Sequence, residues 1–466
     1  MPPNILLILN DDHAQWASGC YGNPALRTPT IDHLAVTGAR FANAFTPTPV
    51  CSPARACLLT GHIASQHGIH DYLSAEADLV KADWLEDEVT LPQLLQRAGF
   101  QTALVGKWHL GHDTEVQPGF DHWFALSGDY PIEHGGSHRY SVNGRLESRV
   151  GYKTRIITEE AVRWLRAVDR DRPFFLLVGY TATHSPWTGH PSRLVRSYLE
   201  VQQTGVPADE VYPFGRQNLE STFTTREDPR RALAEYFAGV SQLDEGVAQL
   251  LDELDARRQR NRTLVAYTSD HGLSCGHHGI WGKGNGTLPL NMVEESIRVP
   301  LILNYPGTVP EGVDVEQPVD HLDLFRALAD YAAVDLPLDV RGYPGRSLRA
   351  LAEGTPPDDW REVQFCEYGD VRMIRTPRYK LVLRSPDGPH ELFDLQEDPR
   401  ECTNVFLEPR SRALVAQLTD QLDEYFRTFE DPAKSGLKVR DLPRHNATEA
   451  WRSDPAGPVG GRWGPD

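Results

Sequence analysis

The chain has 466 residues, with 47 Lys or Arg against 65 Asp or Glu, and its formal net charge of -18 opposes general adhesion to nucleic acid or an anionic membrane. Hydrophobic residues make up 40% and charged residues 24%, an ordinary globular balance, and no apolar run approaches the roughly 20 residues needed to span a bilayer. Six cysteines (Cys20, Cys51, Cys57, Cys275, Cys366, Cys402) are too few for a disulfide framework, and none forms a C-x-x-C pair.

The first apolar run, residues 5–9, has no basic segment before it and leads into Asn10-Asp11-Asp12-His13. It reads as a buried strand and not as a signal peptide, so the chain as written is expected to be cytoplasmic. Residues 50–61 read as a helix with Ser52 as N-cap, Pro53 in the first helical position and Gly61 at the far end. Further strands are expected at 102–105, 174–178, 264–268 and 300–303, and helices at 90–98, 156–168, 231–257 and 320–333. Two stretches rich in Gly, His and Pro, 111–151 and 185–228, read as long loops in which substrate selection would reside.

This alternation predicts an α/β domain over residues 1–354, a mostly parallel central sheet covered by helices on both faces. Beyond it, strand-like segments at 363–367, 373–376, 379–383 and 391–395 and a helix at 411–426 predict a smaller antiparallel sheet with one helix over 355–440. The tail, 441–466, has no periodicity and is either loose or laid against the body, where it could also pack on a neighbouring molecule. There is no internal repeat.

In open parallel sheets ligands bind beyond the carboxyl ends of the strands. The residues that follow the apolar runs are Asp11 and Asp12, then Lys107 and His109, then His184, then Asp270 and His271. Any one of them could be a helix cap or a satisfied backbone partner. Together they are clustered carboxylates that repel one another unless a cation lies between them, and acidic oxygens suit a hard ion, Ca²⁺ or Mg²⁺. Cys51 at a helix start would sit at the positive end of the helix dipole, with Arg55 one turn along. Alone, Cys51 reads first as a small buried residue, with an activated thiolate nucleophile as the alternative.

The segment Cys51-Ser52-Pro53-Ala54-Arg55 followed by Leu58-Leu59-Thr60-Gly61 resembles the C-x-P-x-R signature of the type I sulfatases, of the alkaline phosphatase-like superfamily. Asp11-Asp12, Gly106-Lys107-Trp108-His109, His184, Ser269-Asp270-His271-Gly272 and Lys283 follow that family's order, and Leu392-Phe393-Asp394-Leu395 is similar to its C-terminal subdomain. The resemblance implies a sulfuric ester hydrolase in which Cys51 is oxidised to formylglycine by a formylglycine-generating enzyme. Asp11, Asp12, Asp270, His271 and the modified Cys51 would hold one divalent cation, Ca²⁺ foremost. It further implies attack on sulfur by one hydroxyl of hydrated formylglycine, a covalent sulfo-enzyme intermediate, and sulfate release when His109 removes the proton of the other hydroxyl. Arg55, Lys107 and Lys283 would stabilise charge, and His184 would protonate the leaving group of a small-molecule or saccharide sulfate ester.

Trp187, His190 and Arg193 follow His184 closely and could line the substrate pocket, although ordinary loop packing explains them as well. His134, His138, His277 and His278 are not assigned to metal. The alternatives are a phosphonate monoester or phosphodiester hydrolase with the same site, an unmodified cysteine phosphatase or anion-binding homologue, and a carbohydrate-binding module with a structural metal.

Overall fold

The computed structural model describes residues 2–74, 77–81, 83–127, 136–206, 216–217, 228–339 and 342–452. Its central strand, Asn4–Asn10 (β1), is buried along its whole length. Ile5, Leu7 and Leu9 face one hydrophobic layer and Leu6 and Ile8 the other, which is why the strand reads as an unbroken apolar run.

Nine more strands complete the sheet: Ala39–Phe41 (β2), Gln101–Gly106 (β3), His122–Leu126 (β4), Ser137–Val142 (β5), Arg145–Val150 (β6), Phe174–Gly179 (β7), Thr263–Ser269 (β8), Leu301–Asn304 (β9) and Val313–Val315 (β10). Their order is β10-β2-β9-β8-β1-β7-β3-β4-β5-β6. The centre, β8-β1-β7-β3-β4, is parallel, whereas β9 and the β5-β6 hairpin run antiparallel to their inner neighbours.

Cys51–Thr60 (α1), Leu91–Arg97 (α2) and, later in the chain, a helix at His321–Tyr331 cover one face through Leu58, Leu59, Leu94, Leu95, Phe325 and Leu328. Lys153–Ala167 (α3) and Pro229–Ala256 (α4) cover the other through Ile157, Ala161, Leu165, Leu243, Val247 and Leu250. The His321–Tyr331 helix is α5. The architecture is the expected mixed, mostly parallel sheet between helices.

A separate four-stranded antiparallel sheet follows, Gln364–Tyr368 (β11), Val371–Arg375 (β12), Tyr379–Arg384 (β13) and Glu391–Asp394 (β14), with the helix Arg412–Phe429 (α6). Ile374, Leu381 and Leu392 pack with Leu418, Leu422 and Phe426 of α6 and with Cys57 of α1. On the opposite side Cys366, Tyr368 and Met373 pack against Phe45, Val50 and Met292 of the larger sheet's loops. The helix that carries Cys51 is thus held between the two sheets.

Two expectations need correction. The stretch 111–151 is not a loop, since it contains β4, β5 and β6. The outer hairpin buries His138, Tyr140 and Ser141 from β5, while β6 is exposed or half-buried throughout, and it has no apolar run to announce it. Ser52 does not cap α1: Val50, extended at φ -154, is the N-cap, Cys51 opens the helix and Pro53 is its third residue. Gly61 closes it in the left-handed region at φ 72, as expected. The 185–228 stretch contains the helix Ser192–Leu199, and 207–215 and 218–227 lie outside the described residues. The tail is laid against the body as far as Arg452.

Candidate active site

The parallel register of the central strands brings their ends to one rim. Asn10 is paired with Ser269, Leu9 with Gly179, and Gly106 with Gly179. Gly106 has φ 118, and a Cβ there would lie 2.0 Å from the Gly179 carbonyl oxygen, so the close approach of the two strands requires glycine. Lys107 N–H then donates to that carbonyl at 2.7 Å, and Asp270 N–H donates to Asn10 O at 3.0 Å. Asp12 and His109 occupy the left-handed region at φ 61 and φ 64, which few residues other than glycine adopt, although Asp and His do so more readily than most.

Cys51 is 2% exposed, and its sulfur is the point on which these side chains close. Lys283 Nζ lies 3.0 Å from Sγ, His271 Nε2 3.4 Å and Asp11 Oδ1 3.7 Å. Lys107 Nζ donates to Asp11 Oδ2 at 2.5 Å and Lys283 Nζ to Asp12 Oδ1 at 2.8 Å. Arg55 spans the site from one turn along α1, with Nε donating to Asp270 Oδ2 at 2.9 Å and a terminal nitrogen to Lys107 O at 3.1 Å. His271 Nε2 stands 3.3 Å from Asp270 Oδ1, and Nδ1 3.4 Å from Asp12 Oδ1.

Ligand atoms of Asp11, Cys51, Asp270 and His271 lie within 4.8 Å of one another, as do those of Asp11, Asp12 and His184. His109 Nε2 stands 3.1 Å from the Leu73 carbonyl oxygen, and His184 Nδ1 2.7 Å from Ser185 O.

Burial and charge set the titration of these groups. Burial raises the Cys51 thiol, but Lys107, Lys283 and His271 together outweigh it and hold the thiol well below its ordinary value. Burial and the Cys51 charge raise Asp11, yet Lys107, His184 and Lys283 bring it below the usual carboxylate range. Asp270 ends above that range, because burial and the Asp11 charge exceed the relief from His271 and Arg55. Burial, then Lys107, push His109 down to about 4. His184 moves the other way: burial and Lys283 lower it, but Asp11 and Asp12 more than compensate.

All of the residues singled out at the strand ends, together with Cys51, Arg55 and Lys283, therefore meet at one buried centre. The three loop residues differ. Trp187 is buried, donates from Nε1 to Thr183 O at 2.7 Å and packs on Tyr236 and Trp281. His190 is bonded through Nδ1 to the Tyr152 hydroxyl and is pushed down to about 4 by burial. Arg193 is exposed on the Ser192–Leu199 helix. His138 and His277 bond to the carbonyls of Gly151 and Gly205, and His134 lies outside the described residues.

Two features escaped sequence reasoning. Lys153, first residue of α3, is buried beside the site and lowered to about 8, by burial first and then by Lys107. Nothing distinguishes it in sequence from a solvated lysine at a helix start. The other is the Leu73 carbonyl, a backbone group that no residue type encodes.

A family profile described as Sulfatase matches residues 3–334, and one described as N-sulphoglucosamine sulphohydrolase, C-terminal, matches 276–428. The N-acetylglucosamine-6-O-sulfatase of Bacteroides thetaiotaomicron is 28% identical, over 92% of this chain and 87% of its own. Choline-sulfatase of Rhizobium meliloti is 31% identical over 90% of this chain and 85% of its own. A solved structure in complex with its substrate D-glucosamine-2-N,6-O-disulfate superposes with a TM-score of 0.81 at 27% identity, covering 92% of this chain and 98% of that one. The phosphonate monoester hydrolase of Agrobacterium radiobacter shares the fold, with a TM-score of 0.73 at 22% identity over 91% of this chain and 95% of its own.

Proposed function

Since this chain belongs to the sulfatase family of the alkaline phosphatase-like superfamily and is a sulfuric ester hydrolase, we propose that it works through formylglycine derived from Cys51 and one divalent cation. The observation that carries this reading is the ring around Cys51 Sγ, with Lys283, His271 and Asp11 between 3.0 and 3.7 Å away. The structural residues of a buried cysteine need no such company.

The donor set fits a cation. Asp11, Asp270 and His271 are buried with ligand atoms within 4.8 Å of one another, and Asp270 is raised in part by the Asp11 charge, a repulsion that a cation would relieve. Asp11, Asp12, Asp270, His271 and the modified Cys51 would hold it, and their oxygen-rich chemistry suits Ca²⁺ or Mg²⁺. Bound there, it would neutralise the carboxylates and favour ionisation of an oxygen on the nucleophile. Hydrated formylglycine supplies two hydroxyls on one carbon, one for attack on sulfur and one for expulsion of sulfate.

The chain's own groups do the rest. Arg55 fixes Asp270 and adds positive charge beneath the nucleophile, while Lys107 and Lys283 hold the nonbridging sulfate oxygens. His109 offers Nδ1 as the proton acceptor, because Nε2 is directed at the Leu73 carbonyl, and its lowered pKa keeps it neutral at pH 7. His184, raised instead, carries the proton for the departing alcohol. Arg193 contacts the outer part of the substrate in this reading, with Trp187 and His190 bracing the loop. The relatives named for sugar sulfates make a saccharide sulfate ester the favoured substrate class. Maturation then requires a formylglycine-generating enzyme as a partner.

Peptide mass analysis of the Cys51 segment, combined with turnover of an aryl sulfate, N-acetylglucosamine 6-sulfate, choline sulfate, a phosphodiester and phenyl phosphonate, tests the reading. An aldehyde at Cys51 and a preference for sulfates are expected. Full activity with an unmodified thiol would overturn the formylglycine assignment, and faster phosphonate turnover would overturn the substrate assignment.

A further inference from the structure

Residues 68–74 form an irregular strap between the short helices Ala64–His67 and Ala77–Val80. Two of its bonds end at the reaction centre. Leu73 N–H donates to Ser52 Oγ at 2.9 Å, next to Cys51, and Leu73 O stands 3.1 Å from His109 Nε2. A carbonyl can only accept, so this contact requires the proton of neutral His109 to reside on Nε2 and leaves Nδ1 for the Cys51 side.

The strap is in turn held by the tail. His70 N–H donates to His445 Nε2 at 3.0 Å, Asn446 Nδ2 donates to Tyr72 O at 2.9 Å, and Ser74 N–H donates to His445 O at 3.0 Å. The Tyr72 and Thr448 hydroxyls are 2.7 Å apart. His445 is buried, and its Nδ1 faces Glu449 Oε1 at 2.8 Å, which leaves Nε2 as the acceptor that the His70 amide needs. Asn446 is buried as well, and its Oδ1 accepts from Thr448 N–H at 2.8 Å, so both ends of its amide are committed.

We propose that His445 and Asn446 are positioning residues of the active site, which act through the strap to fix the Leu73 carbonyl and thereby the tautomer and orientation of His109. The chain of contacts runs from tail to strap to imidazole, over residues more than 300 positions apart in sequence. It rests on the reading of His109 as the base that frees sulfate. Hydrogen-bond partners behind metal-bound histidines commonly alter activity by about 10- to 100-fold, and an effect of that order is expected behind a proton-transferring one.

The test is a pair of double-mutant cycles, His445→Ala and Asn446→Ala each with and without His109→Ala, on full-length enzyme of verified Cys51 modification, with aryl sulfate as substrate. Each tail variant is expected to lower kcat by about 10-fold or more at nearly constant KM, and to add almost nothing when His109 is already Ala. His445→Gln, whose amide oxygen can take the place of Nε2, is expected to recover most of kcat. Equal losses in both backgrounds, or no loss at all, overturn the positioning role. If His109→Ala alone keeps wild-type activity, the base assignment is what has failed, and the positioning role falls with it. Should the alanine variants not fold, Asn446→Ser carries the test, because its hydroxyl can still accept from Thr448 N–H while the amide donor to Tyr72 O and to the Asp71 carboxylate is lost.

Discussion

The ammonium of Lys283 joins Asp12 to Cys51, with Nζ 2.8 Å from the carboxylate and 3.0 Å from the sulfur. The pairing holds the lysine well above its ordinary pKa despite burial, which favours its charged form beside the Cys51 sulfur. Lys283→Ala is expected to lower kcat/KM on an aryl sulfate by about 10²- to 10³-fold, the usual effect of removing one preorganised charge donor. Steady-state kinetics measure it, and a change smaller than about threefold would remove Lys283 from the reaction.

Arg55 and Asp270 are both buried and meet at 2.9 Å. Arg55→Ala leaves the carboxylate without its guanidinium, and breaking such a buried pair costs about 3–5 kcal/mol. Urea denaturation should show a loss of that size alongside a loss of activity. Unchanged stability would mean that Asp270 is compensated by other groups.

Chelation should act on the same carboxylates. Removing a bound divalent cation restores the repulsion among Asp11, Asp12 and Asp270, so activity and melting temperature should both fall and both return with Ca²⁺ or Mg²⁺. Full activity after exhaustive dialysis against a chelator would exclude an essential cation.

Asp71 gives a prediction in pH. Burial raises its carboxyl from 3.8 to about 6, although Tyr368 OH and Tyr72 N–H donate to it at 2.5 and 2.8 Å. Asn446 and His445 are its other charged or polar neighbours, and both lower its pKa. Between these two values the folded chain holds a proton that the unfolded chain has released, so stability falls as pH rises through the window. Asp71→Asn removes that penalty while keeping an oxygen for Tyr368. Its advantage over wild type in urea denaturation should be near zero below pH 4 and about 1–3 kcal/mol above pH 6. An advantage that does not change with pH would assign the effect to packing.

Much of the centre was legible because parallel strands carry a simple rule. The residues after 5–9, 102–105 and 264–268 lie where such strands end, and the register Asn10 to Ser269 and Gly106 to Gly179 places them on one rim. What stayed hidden depends on partners far away in sequence. The outer hairpin β5-β6 is recognisable only once β4 offers an edge, since its few apolar residues are scattered among polar and charged ones and form no run. Ser52 is a residue type suited to a helix cap, but its hydroxyl is taken by the Leu73 amide and the helix begins two residues earlier than expected, at Cys51. Sequence leaves Trp187 open between the pocket and ordinary loop packing, and the wall it forms with Tyr236 and Trp281 depends on helix and loop packing that no local pattern encodes.

Every residue of α1 from Cys51 to Thr60 is buried, enclosed by α5 on one side and the small sheet on the other. The second enzyme that the proposed maturation requires would have no access to the Cys51 thiol once the two sheets have closed over it. The proposed conversion to formylglycine therefore implies that oxidation of the thiol comes before folding is complete, and that a chain folding first would be left as a stable but unmodified product. On that proposal the yield of working molecules would be set by a competition between two rates, maturation and collapse, and faster folding would be a disadvantage.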